Sequence, residues 1–166
     1  AILDATSIRI VAQVDSPAPF GFRLRVGTTN PAMATASGRL LVALQAPATC
    51  DWMLEEMRHG RPKEEADALV RRVGIIRTRG YEMVAGESLE GITDVSFPLI
   101  DGSGVAQAAL TMPYLAATRQ TVGFDEACEI VFRTAGAITE ALDGVMPKVS
   151  FPLRRVAAKR TPRQPG

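Results

Sequence analysis

The sequence has little of what metal or thiol chemistry requires. Its 166 residues include one histidine, His59, and two cysteines, Cys50 and Cys128, which stand 78 positions apart. Metal sites need several convergent histidine, cysteine or carboxylate ligands, and this spacing supplies no such motif. We therefore expect no metal and no cofactor. His59 has no partner histidine and is expected to be neither a ligand nor a catalytic residue.

Motifs typical of common enzymes are absent as well. The sequence has no G-x-S-x-G turn, no Walker phosphate-binding loop and no strand followed by G-x-G-x-x-G. Neither cysteine has a neighbouring base, and Cys128 lies on the apolar side of a predicted helix, so both are expected to be unreactive. The sequence therefore favours a protein that is not an enzyme.

Long apolar runs are also missing. No run approaches the roughly 18 residues that a membrane-spanning helix needs. No basic stretch followed by an apolar stretch opens the sequence, as a secretion signal would. We expect a cytoplasmic protein with no membrane partner.

Acidic residues are absent from one end of the chain. All 18 of them precede Pro147, whereas residues 147–166 hold six of the 19 basic residues. The acidic body repels phosphate backbones, so we expect no nucleic-acid-binding surface in this chain. We predict one domain over residues 1–146, followed by a basic, disordered tail over residues 147–166.

The predicted fold is organised around a hairpin. Asp-Gly-Ser-Gly at 101–104 favours a tight turn, so Ile92–Ile100 and Val105–Met112 should pair as antiparallel strands. Alternation assigns an apolar face to Val95, Phe97, Leu99, Ala106, Ala108, Leu110 and Met112. It assigns a small, polar face to Asp94, Ser96, Pro98, Gln107, Ala109 and Thr111. Such a face either meets water or is covered and lines a ligand site, and the pattern leaves both open.

The remaining elements predict an antiparallel α+β domain. Strands are expected in a hairpin over residues 2–14 and in a segment over 20–26, with a turn at 27–31. Helices are expected over residues 32–44, at Ala48–Arg58, at Pro62–Arg79 and at Asp125–Leu142. The first helix begins with small residues, which suit either close approach to a ligand or close packing on the sheet.

Several motifs resemble those of IclR-family transcriptional regulators. The hairpin run from Phe97 to Gly104, continuing at Ala108–Thr111, is similar to the family's C-terminal signature. Three further motifs agree in order: Val14–Pro17 resembles "V-E-S-P", Arg25-Val26-Gly27 followed by Pro31 resembles "R-V-G-x3-P", and Ala34–Leu41 resembles "A-T-A-x-G-K-A-L-L".

The resemblance implies a GAF/PAS-like curved antiparallel sheet flanked by helices, with a small-molecule effector pocket over one sheet face. It also implies a homodimer or homotetramer. DNA would be bound only through a winged-helix domain that precedes this domain in the family and is missing from this chain. Effector identity, operator sequence and the direction of regulation are not implied.

The family's pocket positions imply a set of candidate ligand-binding residues, to which the polar face adds Ser96 and the second strand segment adds two phenylalanines. The candidates are Thr35, Ala36, Val84, Asp94, Ser96, Thr111, Pro113, Phe20 and Phe22. A buried Asp94 favours an effector that offers hydroxyl or amino donors, because an unpaired carboxylate would repel an acid. If Arg23 or Arg25 pairs with Asp94, an acid becomes possible again.

Two alternatives to the sensor interpretation stay open. One is a thiol enzyme on a GAF-like scaffold, which would use Cys50 or Cys128. The other is a pure dimerisation module with a filled pocket, which would require bulky side chains between Thr35, Asp94 and Thr111.

Overall fold

The structure, a computed structural model, describes residues 1–15, 23–116 and 122–154. Its strands are β1 (Ile2–Asp4), β2 (Ser7–Arg9), β3 (Thr29–Pro31), β4 (Glu82–Ala85), β5 (Ile92–Ile100) and β6 (Ala106–Leu115). A short 3-10 helix (Ala32–Ala34) precedes the α-helices, which are α1 (Ala36–Ala43), α2 (Pro47–Arg58), α3 (Lys63–Arg79) and α4 (Phe124–Ala141). The predicted α+β fold is confirmed. None of the helices in the described ranges is long and apolar enough to cross a membrane.

The strands form two antiparallel sheets that meet at one edge. The sheet orders are β1-β2-β3 and β4-β5-β6. Ala1 and Ala109 exchange two backbone hydrogen bonds of 2.9 and 2.8 Å, which bring the start of β1 against β6. Helix α1 packs on one face of β4-β5-β6 and α4 packs on the other, so this sheet is covered on both sides.

Each covered face has its own apolar core. The α1 side is built from α1, α2 and α3 together with Ile8, Ile100 and Ala109. The α4 side contains Phe97, which is fully buried, and Phe132, whose ring meets that of Phe97 edge-on with centroids 5.3 Å apart. Two separate cores hold the sheet between them, and this arrangement fixes which side chains of the hairpin face α1.

The predicted hairpin is confirmed, but one residue in it faces the other way. The pairing of β5 with β6 shifts register between Leu99 and Ile100, so that Leu99 pairs with Ala108 and Ile100 pairs with Ala106. Gln107 is therefore an extra residue in a β-bulge, and such a residue reverses the alternation beyond it. Ala106, expected on the face of Leu110, instead joins the core on the α1 side.

The first strands differ more from the sequence expectation. Strand β2 ends at Arg9, and Val14, expected to continue it, is almost fully exposed. Residues 29–31, expected as part of a turn, form β3, and the turn lies at Val26 and Gly27. Of the strand predicted over 20–26, the described residues from Arg23 onward are not in a strand.

The described part of the expected tail is packed against the domain. Leu153 is buried in the core on the α4 side, with Val149 and Phe151 beside it. The backbone N–H of Arg154 donates to the hydroxyl of Tyr81 at 2.9 Å. Residues 149–154 are thus docked on the domain, and residues 155–166 lie outside the described residues.

Candidate functional site

The polar face of the hairpin lies on the side of the sheet that α1 covers, where Ser96 is buried and Asp94 and Thr111 are half-buried. Ser96 lies opposite Thr111, and their hydroxyl oxygens are 2.8 Å apart. Ser96 is fully buried although it is polar, because α1 packs against β4, β5 and β6 on this face. One residue pair further along, Asp94 lies between Val84 of β4 and Pro113 of β6. The register therefore places five of the candidate residues side by side under α1.

Two further candidates begin the helix that covers this face. Thr35 is the N-cap of α1, and its hydroxyl oxygen accepts a hydrogen bond of 3.0 Å from the backbone N–H of Gly38. Ala36 is the first residue of the helix and is buried. Phe20 and Phe22, also predicted to contact the ligand, lie outside the described residues.

A buried charge cluster, not anticipated from the sequence, adjoins this face. The carboxylate of Glu82 on β4 is completely buried. It accepts hydrogen bonds from Arg79 at 2.9 Å and from Nε of Arg72 at 2.9 Å, both on α3. Arg39 of α1 lies 3.7 Å from the same carboxylate. Glu82 is adjacent to Val84 in the inward alternation of β4, so the cluster borders the candidate site.

Arg39 links the cluster to the loop between β4 and β5. Its guanidinium donates to the backbone carbonyl oxygen of Met33 at 2.9 Å and to the carboxylate of Glu87 at 2.6 Å. Its side chain is only 8% exposed, whereas that of Glu87 is 50% exposed. Ser88, next along the loop, acts to lower the pKa of Asp94. Glu87 of this loop is thus a partner of the Arg39 guanidinium.

The cation nearest the candidate site is therefore not one of those expected. Arg23 pairs with Asp15 at 2.5 Å on the surface, and Arg25 is exposed. Arg39 instead exerts an electrostatic effect on Asp94. Arg39 occupies the basic position of the "A-T-A-x-G-K-A-L-L" motif, which was the sequence signal for it.

Burial raises the pKa of Asp94 above its usual value, and the charge of Glu87 acts in the same direction. Ser88 and the charge of Arg39 oppose this shift without cancelling it. The folded protein therefore holds the proton of Asp94 more tightly than the unfolded chain does.

This shift predicts how stability depends on pH. Because the pKa of Asp94 is higher in the folded state, its contribution to stability is complete below the unfolded pKa and is lost as pH rises through the folded pKa. We expect Asp94→Asn to be more stable than the unchanged protein at pH 7. The difference should shrink towards pH 3.9, roughly the unperturbed value of an aspartate.

Urea unfolding at pH 4 and pH 7 measures this effect. Glu90→Gln, an exposed change in the same loop, is the control and should alter the free energy of unfolding by less than about 0.5 kcal/mol at both pH values. An Asp94→Asn protein that is less stable than the unchanged one at pH 7 would contradict the prediction.

The groups considered for catalysis lack the features of a reactive site. Burial raises the pKa of the Cys50 thiol, with Arg77 opposing the shift, so the reactive thiolate is disfavoured. Cys128 is also buried, and the two cysteines form no disulfide bond. Within residues 1–15, 23–116 and 122–154, no three His, Cys, Asp or Glu side chains are grouped so that they could hold a metal ion.

The structure is an α+β domain whose central sheet is covered by helices on both faces. Comparisons with known proteins identify its family. The family model described as "Bacterial transcriptional regulator IclR C-terminal" matches residues 1–140. The chain belongs to this family, the C-terminal domain of IclR regulators, as its sequence motifs indicated.

Named relatives agree with this assignment. The chain is 28% identical over 116 residues to the HTH-type transcriptional regulator KdgR of Escherichia coli strain K12, a match that covers 68% of this chain and 44% of KdgR. It therefore spans less than half the length of this relative.

Solved structures show the same fold. The IclR-family transcriptional regulator of Rhodococcus sp. is 29% identical, with a TM-score of 0.65 over 86% of this chain and 53% of that one. The IclR of Thermotoga maritima is 20% identical, with a TM-score of 0.69 over 86% of this chain and 59% of that one, and it supports the fold alone.

Proposed function

We propose that this chain is the effector-binding domain of a transcriptional regulator and that the covered polar face is its effector site. The observation that carries this proposal is that Asp94, Ser96 and Thr111 lie together on the sheet face against which α1 packs. Burying polar groups is unfavourable unless they are hydrogen-bonded. A sheet needed only as scaffold would be more stable with apolar side chains at these positions, so a retained polar face is a reason to expect a ligand.

The chemistry of the face defines what an effector would contact. Ser96 and Thr111 supply hydroxyl groups, Asp94 supplies a carboxyl group, and Val84 and Pro113 supply apolar surface. The N-terminal end of α1, with Thr35 and Ala36, would lie over the bound molecule. A ligand that prefers one arrangement of domains would shift the regulator towards it, by at most its difference in affinity for the two states.

The partners of the whole regulator follow from the family. We propose that the domain assembles as a homodimer or homotetramer. We also propose that DNA is contacted by a separate winged-helix domain, because the relatives named above are HTH-type or IclR-family regulators and are more than one and a half times as long as the matched segment. On this proposal the chain is cytoplasmic and is not an enzyme. Light scattering on the purified chain would give the number of copies.

The effector site is tested by binding. A metabolite panel screened by thermal shift should yield at least one compound that stabilises the domain. Its affinity, measured by calorimetry, should fall about tenfold to a hundredfold in Asp94→Ala, because a hydrogen bond to a charged group is lost. Glu90→Ala is the matched control, since Glu90 is an exposed acidic residue of the loop that precedes β5.

The possible outcomes test separately whether Asp94 contacts the effector and whether the domain binds an effector at all. An unchanged affinity in Asp94→Ala would remove Asp94 from the contacts while leaving the sensor role. A panel in which no compound binds, together with a chain that assembles into stable dimers, would favour the pure dimerisation module.

A further inference from the structure

Helix α4 carries an apolar stripe on its solvent-exposed side. The side that packs on the sheet is buried through Cys128, Ala135 and Thr139. Along the exposed side, the residues that recur at three- and four-residue spacing are small or apolar, namely Ile130, Thr134, Ala137, Ile138 and Ala141. The two isoleucines are 40% and 38% exposed. Apolar residues around most of a helix are typical of a helix that is covered on more than one side.

The stripe can be covered without leaving a polar group unsatisfied. Its one hydroxyl group, that of Thr134, donates to the backbone carbonyl oxygen of Ile130 at 2.9 Å and so needs no water. Ala137 and Ala141 each project only a methyl group, which lets the backbone of a second helix approach closely. Covering this stripe therefore removes apolar surface from water at little cost in lost hydrogen bonds.

Two opposite charges border the stripe on the same side. Arg133 and Glu140 are exposed and stand seven positions apart, which is about two helical turns, so their side chains lie in line along the helix. They are separated by roughly 10 Å along the helix axis, which is too far for them to pair with each other. Neither forms a salt bridge within the part of the chain that the structure describes. Both positions therefore suit a partner that brings the opposite charge to each.

A second copy of α4 supplies these opposite charges. In an antiparallel pair of α4 helices related by a twofold axis midway between Arg133 and Glu140, each Arg133 lies level with Glu140 of the other copy. The contact occurs twice, as an isologous interface requires. The same symmetry places Ile130 near Ala141 of the other copy, a large residue against a small one, and Ala137 lies beside the axis where the helices approach most closely. The stripe is therefore complementary to itself in charge and in side-chain size.

We propose that the exposed stripe of α4 is the surface through which this domain pairs with a second copy of itself, with the two α4 helices antiparallel and Arg133 of each copy paired with Glu140 of the other. This inference rests on the proposed assembly into a homodimer or homotetramer, and it names the surface that forms it. The stripe lies on the α4 side of the sheet, whereas the proposed effector site lies on the α1 side. A second copy and an effector therefore occupy opposite faces of the sheet and do not exclude each other.

Reversal of single charges tests this arrangement. Arg133→Glu places glutamates opposite each other, and Glu140→Arg does the same with arginines. Each variant alone should have a dissociation constant for self-association at least about tenfold above that of the unchanged chain, because like charges that face each other across an interface oppose association. Sedimentation velocity over a range of protein concentrations measures this. Arg71→Glu and Glu56→Arg, reversals at exposed positions of α3 and α2, are the matched controls and should leave the association unchanged.

A mixture of the two variants gives a sharper result. A copy with Arg133→Glu and a copy with Glu140→Arg carry opposite charges at both contacts. An equimolar mixture should therefore associate as tightly as the unchanged chain, although neither variant does so alone. The double variant Arg133→Glu/Glu140→Arg restores both pairs with their signs exchanged and should also associate like the unchanged chain. A general loss of folding cannot be rescued in this way.

The other outcomes separate this surface from the assembly itself. If the chain forms dimers or tetramers that the single reversals leave intact, the α4 interface is wrong and the proposed assembly stands through another surface. If the single reversals weaken association but neither the mixture nor the double variant restores it, the antiparallel pairing of Arg133 with Glu140 is wrong. If the unchanged chain is monomeric at every concentration, the interface and the proposed assembly both fail, and the effector site is still tested by the metabolite panel.

Discussion

Glu82→Gln is expected to lower the free energy of unfolding by about 3–5 kcal/mol, the range found when one partner of a buried ion pair is removed. The carboxylate of Glu82 is completely buried and faces the guanidinium groups of Arg72, Arg79 and Arg39. The substitution keeps the size of the side chain, so the loss reports charge and not packing. It would leave three arginines in one partly buried region without their shared counter-ion.

Urea unfolding at neutral pH measures this loss, and Glu87→Gln is the matched control. Glu87 pairs with Arg39 too, but it is half exposed, so its removal should lower the free energy of unfolding by less than about 1 kcal/mol. A Glu82→Gln protein that loses no more than this control would mean that water enters the cluster and screens the arginines. In that case the cluster would contribute little to the positioning of α1 and α3.

Gly38→Ala is expected to lower the free energy of unfolding by about 3 kcal/mol or more, which is at or above the usual range for overpacking. A Cβ atom at Gly38 would lie 2.1 Å from the backbone carbonyl oxygen of Ala32. Backbone atoms cannot move aside as the end of a flexible side chain can, so α1 would have to shift away from the 3-10 helix. Because α1 covers the candidate site, the same change should also weaken effector binding.

Gly74→Ala is the control for Gly38→Ala, because both glycines lie inside α-helices. A Cβ atom at Gly74 would meet nothing within 4 Å. This change should therefore raise the free energy of unfolding by about 0.5–1 kcal/mol, through the better helix propensity of alanine. If thermal unfolding shows that both substitutions are neutral or stabilising, the close approach of α1 to Ala32 does not exist in solution.

The hairpin was predictable because its information is local. Alternation along 92–100 placed Asp94 and Ser96 on one face, and Asp-Gly-Ser-Gly marked the turn between the two strands. The bulge at Gln107 was not predictable in this way. Nothing in the residue types marks it, and it lies where the start of β6 meets both Ala1 before β1 and Leu44 at the end of α1.

The charge cluster escaped prediction because its members come together only in the folded chain. Glu82 begins a short strand between the buried residues Tyr81 and Met83, and a charged residue there was a signal that it needs a partner. Arg72 and Arg79 are seven positions apart and so share a side of α3. The choice of that side, facing β4, depends on how α3 packs beside α1, which no local pattern encodes.

The packing of α1 over the polar face also depends on tertiary structure and could not be predicted from local sequence. The small residues at the start of α1 suited both close packing and ligand approach, and the structure shows close packing at Gly38. Arg39, the next residue, was treated as an ordinary basic position of a motif. Its burial depends on the carbonyl oxygen of Met33 and on two glutamates that lie more than forty residues away in the chain.

The packing of Leu153 has a practical consequence for recombinant work. The family match ends at residue 140, and a boundary drawn there would delete the segment whose Phe151 ring meets that of Phe132 edge-on, with centroids 5.6 Å apart. Such a truncated protein would expose an apolar aromatic surface on the face of the sheet opposite the proposed effector site, and it would tend to self-associate through that surface. Expression clones should therefore extend at least through Arg154.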